Sequence, residues 1–565
     1  MSSMATESSS PTVTPVHHPW QPRGQGVLLV VLLAILWFSF LGYRDLNEPD
    51  EGRYAEIPRE MFVSGDWLTP RLNGLSYFEK PPLQYWATAS FYHLLGVHAG
   101  SSRLWTALMG FVGILWVWWV GGRLFGPTAG RYAALVLTSL LLYTVMGHFN
   151  TLDMATSVWL MLGIGLLLLA QSRRVTEPRA CRRQMLLGWA ALAGACLSKG
   201  LIGLLIPAAT VLIYSVWQRD GAIWRHLHLG WGLLLLFALS APWFVAVSLA
   251  NPDFAPFFFI HEHLERYTRS GHGRSGVWWY FIGVLLLGTI PWSHRLLWVL
   301  GRPGFPWMKG DGHFDPLRFL WVYSAFVLLF FSASHSKLIP YLLPIFPALA
   351  LLLGRQLAQA AAPVAVDWET RLSAILAVLL LLGGWQVELF ANATYPAALL
   401  RESRPWIVGA ATLLGVGVAI SLWRRCRGEI ALLALVLSTL LTVQAISAGA
   451  HALSPTFASR NAAQAIAALG DPPPTVYCVN CYFQSLPFYL ERTVRLVHFQ
   501  GELAFGIRQN PAQWIADKGA FKALWLQEEQ AVALFDRDDF STWREPDLPM
   551  RIIHQDGRRV VIARR

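Results

Sequence analysis

Long apolar segments recur along this chain, and they constrain its fold more than any other feature of the sequence. About thirteen of them approach the roughly 20 residues that a helix needs to cross a bilayer. Only 14% of the residues are charged, whereas about a quarter is usual in soluble domains. The sequence therefore predicts a mainly α-helical, polytopic membrane protein. The predicted segments are 27–43, 104–122, 131–147, 152–171, 185–198, 201–217, 229–249, 276–298, 318–333, 338–356, 372–391, 405–423 and 429–449.

The arginines and lysines between these segments predict the orientation of the chain. They concentrate in every second loop, at 123–131, 173–183, 219–225, 295–318, 355–371 and 424–427. Because cytoplasmic loops carry the excess of basic residues, we assign these loops and the N-terminus to the cytoplasm. An odd number of spans then puts the C-terminus outside. The same distribution accounts for the net charge of +11 without a nucleic-acid partner.

The composition of the chain changes near both ends. Residues 1–26 are rich in Ser, Thr and Pro, which predicts a disordered cytoplasmic tail rather than a signal peptide. Residues 27–450 would form the transmembrane domain, with a long first external loop at 44–103. Residues 451–565 contain no spanning segment and alternate helix-like with strand-like runs, which predicts a small external α/β domain. In it, AQWIADKG and EEQAVALF are interpreted as helices, and TVYCVN, FKALWL, MRIIHQ and RRVVIARR as strands.

Ionisable residues avoid the middle of the predicted spans and gather at their non-cytoplasmic ends. A transporter or a proton relay would place some of them at the midplane of the bilayer. The one-sided cluster instead favours an enzyme whose substrates carry lipid tails. Nucleotide-activated donors are absent outside the cytoplasm, so we expect a lipid-linked donor and no nucleotide cofactor. The clustered residues are Asp50, Glu51, Glu79, Lys80, Asp153, Lys199, His261, Glu262, His263, Glu265, Arg266 and Lys337.

The first external loop carries the most specific motifs of the chain. It contains EPDEGRYAEIPREM, GDWLTPRLNG and YFEKPPLQYW between Glu48 and Trp86. Later stretches read TLD at 151–153, LSKG at 197–200, FIHEHLERY at 259–267 and SASHSKLIPYLLPIFPALALL at 332–352. Together these motifs resemble the GT-C membrane glycosyltransferases, and more narrowly the lipid A aminoarabinose transferases, which are relatives of the protein O-mannosyltransferases. One departure is Gly52, where the resemblance leads us to expect alanine.

That resemblance implies a GT-C fold and a reaction. The family is expected to move 4-amino-4-deoxy-L-arabinose from undecaprenyl phosphate to a lipid A phosphate at the periplasmic face of the bacterial inner membrane. The added positive charge would weaken binding of cationic antimicrobial peptides such as polymyxin. The implied partners are the undecaprenyl phosphate-aminoarabinose donor, the lipid A acceptor and membrane lipids. Two other functions stay open: an O-mannosyltransferase or other polyprenyl-phosphate-sugar transferase, and a lipid transporter or flippase without chemistry.

Three acidic residues are the catalytic candidates that the resemblance implies. Asp50 and Glu51 follow Pro49 in the first loop, and Asp153 opens the fourth predicted span. Such a carboxylate would orient the acceptor or stabilise positive charge at the anomeric carbon of the sugar. The alternative for Asp50 and Asp153 is a structural one, since an acid at the start of a helix caps it and interacts favourably with its dipole.

Basic residues near the same face are candidates for binding the donor phosphate. A departing polyprenyl phosphate needs cations near its oxygens, and Lys80 precedes a rigid Pro-Pro pair. The alternative for each base is an anchor that extends its charge to the membrane interface. The other candidates are Arg53, Lys199, Arg266 and Lys337, with Tyr341 as a hydrogen-bond donor one turn after Lys337.

A divalent metal ion is the one cofactor for which the residues provide ligands. Glu79 together with His261 or His263 would hold it, with water completing the shell. Histidine with carboxylate suits zinc, whereas magnesium or manganese favours oxygen ligands. The alternative is that these histidines pair with acids at the membrane interface. Cys478 and Cys481 form a CVNC motif, for which a disulfide and a free structural thiol pair both stay open.

Overall fold

The structure is a computed structural model that describes residues 23–265, 276–300, 311–359, 365–423, 428–470, 472–544 and 548–564. His263, Leu264 and Glu265 are described in their backbone only. The chain divides into two compact units, Met1–Ser39 and Phe40–Arg565. Helix α1 (Arg23–Phe38) belongs to the first unit, and every element described below belongs to the second.

Helices occupy most of the second unit from the first loop, residues 44–103, to residue 457. The α-helices are α2 (Asp50–Ser64), α3 (Leu83–Leu95), α4 (Ala99–Phe125), α5 (Pro127–Ser139), α6 (Leu141–Met146), α7 (Leu152–Ser172), α8 (Pro178–Lys199), α9 (Ile202–Gln218), α10 (Ala222–His226), α11 (Leu229–Ala250), α12 (Tyr280–Gly288), α13 (Ser293–Leu300), α14 (Pro316–Ala333), α15 (Ile345–Gln359), α16 (Asp367–Trp385), α17 (Ala397–Leu422), α18 (Glu429–Gly449) and α19 (Ser454–Phe457). A π-helix forms over Pro256–Glu265, and short 3₁₀ turns form over Ile339–Leu342, Val387–Phe390 and Ala450–Leu453.

Seven helical segments among the described residues are long and apolar enough to cross a membrane. They are Ala99–Phe125, Leu152–Ser172, Leu229–Ala250, Pro316–Ala333, Asp367–Trp385, Ala397–Leu422 and Glu429–Phe457. The prediction of a mainly helical, multi-pass membrane protein is therefore confirmed. Two other predicted segments are each split into two shorter helices, α5 with α6 and α12 with α13. The breaks lie against each other, because Leu141 N–H donates to the Ile290 carbonyl at 3.2 Å and Trp292 Nε1 donates to Ser139 Oγ at 3.0 Å.

The first loop is folded rather than irregular. Helix α2 begins at Asp50 and ends at Ser64. Gly65 caps it with a φ of 72°, the left-handed conformation that glycine tolerates. A hairpin of β1 (Arg71–Leu72) and β2 (Leu75–Ser76) follows. Its turn is Asn73–Gly74, with φ of 57° and 73°, as expected for an Asn-Gly hairpin turn.

The C-terminal region forms a six-stranded sheet with helices. The sheet order is β5-β4-β3-β6-β8-β7; neighbours from β5 to β6 are parallel, and β8 and β7 extend the sheet in antiparallel fashion. This confirms a C-terminal α/β region. The strands are β3 (Thr475–Val479), β4 (Arg495–Val497), β5 (Trp514–Ile515), β6 (Ala531–Asp536), β7 (Met550–Gln555) and β8 (Arg559–Arg564). The α-helices are α20 (Arg460–Ala467), α21 (Leu486–Leu490), α22 (Ala504–Gln509), α23 (Lys518–Gln527) and α24 (Phe540–Trp543), with 3₁₀ turns at Gly501–Leu503 and Pro511–Gln513.

Three segments of this region differ from the sequence-based prediction. FKALWL was predicted as a strand but lies in helix α23, where Phe521 and Trp525, four residues apart, are buried on one face. EEQAVALF was predicted as a helix but contributes the central strand β6. AQWIADKG was predicted as a helix but forms a turn and β5. Short apolar runs do not distinguish a buried strand from a helix.

Cys478 and Cys481 are buried and free.

A buried carboxylate, Glu48, joins the first loop to the C-terminal region. Its oxygens accept hydrogen bonds from Ser459 Oγ at 2.5 Å, Ser485 Oγ at 2.6 Å and Arg559 Nη2 at 2.5 Å. The two surfaces approach so closely at Gly52 that a Cβ there would lie 2.5 Å from the Ser485 backbone nitrogen. Gly52, the one departure from the family motif, is therefore explained by this contact.

Substituting Gly52 by alanine should destabilise the contact between the first loop and the C-terminal region. The new methyl group would displace the backbone of Ser485, and overpacking of this kind costs about 1–3 kcal/mol. We expect a lower Tm for Gly52→Ala in a thermal unfolding experiment in detergent. Gly409→Ala is the control, because it lies in helix α17 with open space around it. Equal Tm values for Gly52→Ala and the wild type would contradict the described contact.

Candidate active site

A cavity of about 840 Å³ opens between three parts of the chain: the first loop, the π-helix Pro256–Glu265 and the segment 501–509 of the C-terminal region. Four carboxylates line it, against two arginines and one histidine. Such a mixed and mainly acidic lining can hold a cation and still offer contacts to an anion. The lining residues are Arg53, Glu79, Asp253, Pro256, Phe257, His261, Glu262, Gly501, Glu502, Ala504, Phe505, Arg508 and Gln509.

Arg53 lies between the first loop and the C-terminal region. Its guanidinium pairs with Glu502 and contacts Asp50 Oδ1 at 3.4 Å. Burial disfavours the charged form of Arg53, but Glu502, together with nearby Tyr77, Tyr54 and Glu79, outweighs burial and raises the pKa of Arg53. Gln484 donates to the other oxygen of Glu502 at 2.9 Å. Asp50 is 45% exposed in its side chain, so it has room to meet a substrate.

Lys80 links the first loop to the π-helix. Its ammonium donates to Glu262 Oε2 at 3.2 Å and to the Glu79 carbonyl at 2.7 Å. Glu79 and His261 line the cavity, and the His261 ring stacks on Phe257 with ring centroids 5.3 Å apart. The structure therefore brings two predicted residues of the first loop, Arg53 and Glu79, to the same cavity as the predicted ligand His261 of the π-helix. Lys80 lies at the border of this cavity through its bond to Glu262.

A second group of predicted residues forms where helices α7 and α8 meet the 3₁₀ turn Ile339–Leu342. Lys199, the last residue of α8, pairs with Asp153 in the first turn of α7. The Lys199 ammonium also lies 4.9 Å from the centre of the Tyr341 ring. Leu197, two residues before Lys199, packs against the aromatic cluster that contains Phe78, next to Glu79 in sequence. The second group is therefore a neighbour of the cavity.

Lys337 contacts backbone rather than acidic side chains. Its ammonium donates to the carbonyls of Ser332 at 2.6 Å and Phe331 at 3.2 Å, at the C-terminal end of helix α14. It also lies 5.3 Å from the centre of the Phe281 ring. A cation in this position satisfies helix carbonyls that have no partner within the helix.

Glu51 is the most enclosed of the predicted residues. Its carboxylate, with no exposed surface, accepts six hydrogen bonds. Two come from Arg44, two from Arg103 at 2.8 and 2.9 Å, and the others from the backbone N–H groups of Asn47 at 3.1 Å and Asn150 at 3.0 Å. Burial raises the pKa of Glu51, but Arg103 and Arg44 outweigh burial and lower it to about 2. This geometry favours a positioning role over contact with substrate.

Comparison with known proteins assigns the chain to a family. A model of the dolichyl-phosphate-mannose-protein mannosyltransferases matches residues 25–258, and a model of the aminoarabinose transferase C-terminal domain matches residues 462–564. An undecaprenyl phosphate-α-4-amino-4-deoxy-L-arabinose arabinosyl transferase of Erwinia tasmaniensis is 32% identical over 397 residues, 67% of this chain and 69% of the relative. This chain belongs to the aminoarabinose transferase family.

Two further comparisons show how far this membership extends along the chain. The relative of the same name from Shewanella sediminis is 32% identical over 332 residues, which span 58% of this chain and 59% of that protein. The crystal structure of ArnT from Cupriavidus metallidurans bound to undecaprenyl phosphate aligns with a TM-score of 0.87 at 33% identity. That alignment covers 96% of this chain and 98% of the other. Membership in the aminoarabinose transferase family, inferred above from motifs, is confirmed.

Two predicted residues of the site fall partly or wholly outside the description. Arg266 lies outside the described residues, and His263 is described in its backbone only. Within the described part of the chain, no group of three His, Cys, Asp or Glu side chains is arranged to hold a metal ion. Two of the predicted ligands, Glu79 and His261, nevertheless line the same cavity.

Several residues of the site were not predicted from the sequence. Glu502 and Arg508 come from the C-terminal region, in which the sequence predicted no substrate-binding residue. Asp253 precedes the π-helix by three residues and no motif includes it. Arg103 could have been recognised from the sequence, because an arginine at the start of a predicted span must either reach water or pair with a buried acid.

Replacing Glu51 by glutamine should destabilise the protein strongly. The substitution keeps the shape of the side chain but leaves the two buried guanidinium groups of Arg44 and Arg103 without their counter-charge. Breaking a buried ion pair from one side costs about 3–5 kcal/mol. We expect a much lower Tm and yield for Glu51→Gln in detergent. Asp50→Asn is the control, since Asp50 is half exposed; a wild-type Tm for Glu51→Gln would disprove the structural role.

Proposed function

We propose that this chain transfers 4-amino-4-deoxy-L-arabinose from undecaprenyl phosphate to a phosphate of lipid A. The observation that carries the proposal is a structural alignment with a relative crystallised with undecaprenyl phosphate. This alignment covers 96% of the present chain. The names of the relatives specify the same sugar and the same lipid carrier. The acceptor and the resulting resistance to polymyxin rest on the motifs of the first loop.

We propose that the chain crosses the bacterial inner membrane about thirteen times, with residues 1–26 in the cytoplasm and residues 451–565 in the periplasm. The distribution of basic loops supports this orientation. Helix α8 supports the same orientation. Its first turns carry three arginines, at 179, 182 and 183. At its opposite end, the last residue Lys199 pairs with Asp153. The cavity would then open at the periplasmic interface.

The acidic lining of the cavity suits the amino group of the sugar. At neutral pH this group is a cation, and Glu79, Asp253, Glu262 and Glu502 all line the space. Burial raises the pKa of Glu502, although Arg53 opposes this effect. A sugar ammonium in the cavity would add a second positive charge near Glu502. We propose that these carboxylates recognise the amino sugar rather than a neutral hexose.

The transfer itself needs little proton chemistry. A phosphomonoester of lipid A has a second pKa of about 6. At neutral pH the phosphate is therefore largely doubly ionised, and its oxygen is nucleophilic. This oxygen would attack the anomeric carbon while the bond from that carbon to the undecaprenyl phosphate oxygen breaks, with inversion. Asp50 would stabilise positive charge at the anomeric carbon. Undecaprenyl phosphate leaves with the negative charge.

Basic residues would hold the phosphate that leaves. We propose Lys80 as the main contact, with Arg53, Lys199 and the undescribed Arg266 assisting. Each described member of this set has a carboxylate partner: Glu262 for Lys80, Glu502 for Arg53 and Asp153 for Lys199. These partners would hold the cations in place before the donor arrives. Tyr341 and Lys337 would complete the inner end of the phosphate site.

We also propose a divalent ion, preferably zinc, held by Glu79 and His261 with water or His263 completing the shell. The ion would supply positive charge near a phosphate. We expect about one zinc per chain by mass spectrometry of purified protein, reduced by Glu79→Gln. Asp253→Asn, on the same cavity, is the control. Metal-free protein with full transfer activity would contradict this proposal.

The main experiment is a transfer assay with purified protein, undecaprenyl phosphate-aminoarabinose and lipid A, followed by mass spectrometry. We expect the acceptor to gain the mass of one aminoarabinose. A peptide that gained the sugar would instead support the O-mannosyltransferase-like alternative. The match of residues 25–258 to the mannosyltransferase model is the reason to include a peptide in the assay. Movement of lipid between leaflets without any new mass would support a flippase.

Asp50→Asn provides the internal test of the assay. It keeps a side chain of the same size at a half-exposed position, so folding should be unchanged. We expect transfer to fall by about two orders of magnitude or more, because charge stabilisation at the reacting carbon is lost. Wild-type rates in Asp50→Asn would remove Asp50 from the mechanism.

A further inference from the structure

The cations around the cavity differ in what neutralises them. Arg53, Lys80 and Lys199 each face a carboxylate, and Lys337 is directed at helix carbonyls. Their charge is therefore partly balanced before any substrate binds. The reaction proposed above brings two phosphates to one site, the donor phosphate and the acceptor phosphate. The paired cations of the first loop and of helix α8 are assigned to the donor.

Arg508 is different from these cations. It lines the cavity, its side chain is exposed, and it belongs to helix α22 of the C-terminal region. Among the described residues, no carboxylate forms an ion pair with it. Its guanidinium lies 5.9 Å from the centre of the Phe505 ring. A guanidinium that is supported by a ring and unneutralised by an acid keeps its donors available for an anion.

Helix α22 is held firmly where it carries Arg508. Phe505 packs against Phe257 with ring centroids 4.5 Å apart and against Phe78 at 5.3 Å. Gly506 touches the first-loop hairpin so closely that a Cβ would lie 2.8 Å from Leu75 Cβ. The backbone of Arg508 is therefore positioned by contacts to both other walls of the cavity. The same helix ends at Gln509, which donates to Asp253 at 3.4 Å.

We propose that Arg508 binds the acceptor, by contacting the phosphomonoester of the glycolipid that receives the sugar. This inference rests on the proposed function and deepens it. The acceptor must bring an anion into a cavity where carboxylates outnumber basic side chains. Arginine suits this task because its planar fork donates two parallel hydrogen bonds to a phosphate. The C-terminal region would thus select the acceptor, while the first loop binds the donor.

Equilibrium binding of lipid A to the full-length protein in detergent, without donor, tests the proposal directly. We expect Arg508→Ala to weaken binding about tenfold, the loss typical of a charge-assisted hydrogen bond. Arg508→Lys should recover part of this loss, because it keeps the charge but not the fork. Enzymatically dephosphorylated lipid A should bind the wild type and Arg508→Ala equally. Arg551→Ala is the matched control, an exposed arginine on β7 at the far edge of the sheet.

Two further measurements separate this inference from the proposed function. In the transfer assay, Arg508→Ala should raise the KM for lipid A about tenfold with an unchanged kcat. Binding of undecaprenyl phosphate should be unaffected; a loss there would assign Arg508 to the donor and overturn the proposal. Unchanged lipid A affinity in Arg508→Ala would also overturn it, while leaving aminoarabinose transfer intact. If the wild type transfers no sugar, the proposed function fails, and the binding result still decides the role of Arg508.

Discussion

The buried carboxylate of Glu51 is the interaction on which the arrangement of the site depends. It joins the residues before α2, the start of α4 and the residues before α7 through Arg44, Arg103 and Asn150. Asp50 is its neighbour in sequence, and Asp153 lies three residues after Asn150. One enclosed ionic cluster therefore sets the relative positions of the two carboxylates proposed for catalysis. Because the cluster excludes water, loss of its negative charge would leave two buried cations unbalanced.

The C-terminal region contributes residues 501–509 to the lining of the cavity, so it is part of the site. Glu48 and Gly52 fix it to the first loop on one side, and Phe505 and Glu502 complete the cavity on the other. This construction explains why a loop as polar as the first one is mostly buried. Its charged residues are buried against partners on the helices, as Glu51 is against Arg103, and on the sheet region, as Glu48 is against Arg559. If Arg508 binds the acceptor as proposed, the donor and the acceptor are recognised on two separate surfaces of this site.

The sequence predicted the broad architecture because hydrophobicity and charge are local properties. The apolar segments, the polar first loop and the location of Asp50, Glu79 and Lys80 could all be inferred from neighbouring residues. Two partners of Glu51 could not, since Arg103 and Asn150 lie 52 and 99 residues away from it and meet it only through the packing of helices. Arg508 and Glu502 were missed for the same reason. FKALWL and EEQAVALF were assigned to the wrong class because tertiary packing decides short apolar runs.

We propose that the first loop, the π-helix and the C-terminal region form one site for the lipid-linked sugar. A cryo-electron microscopy structure with undecaprenyl phosphate-aminoarabinose bound tests it most directly. We expect density for the sugar in the cavity lined by Glu79, His261 and Glu502, with the donor phosphate near Lys80. Density for the sugar at any other position, such as the apolar slot between helices α7, α8 and α9, would contradict it.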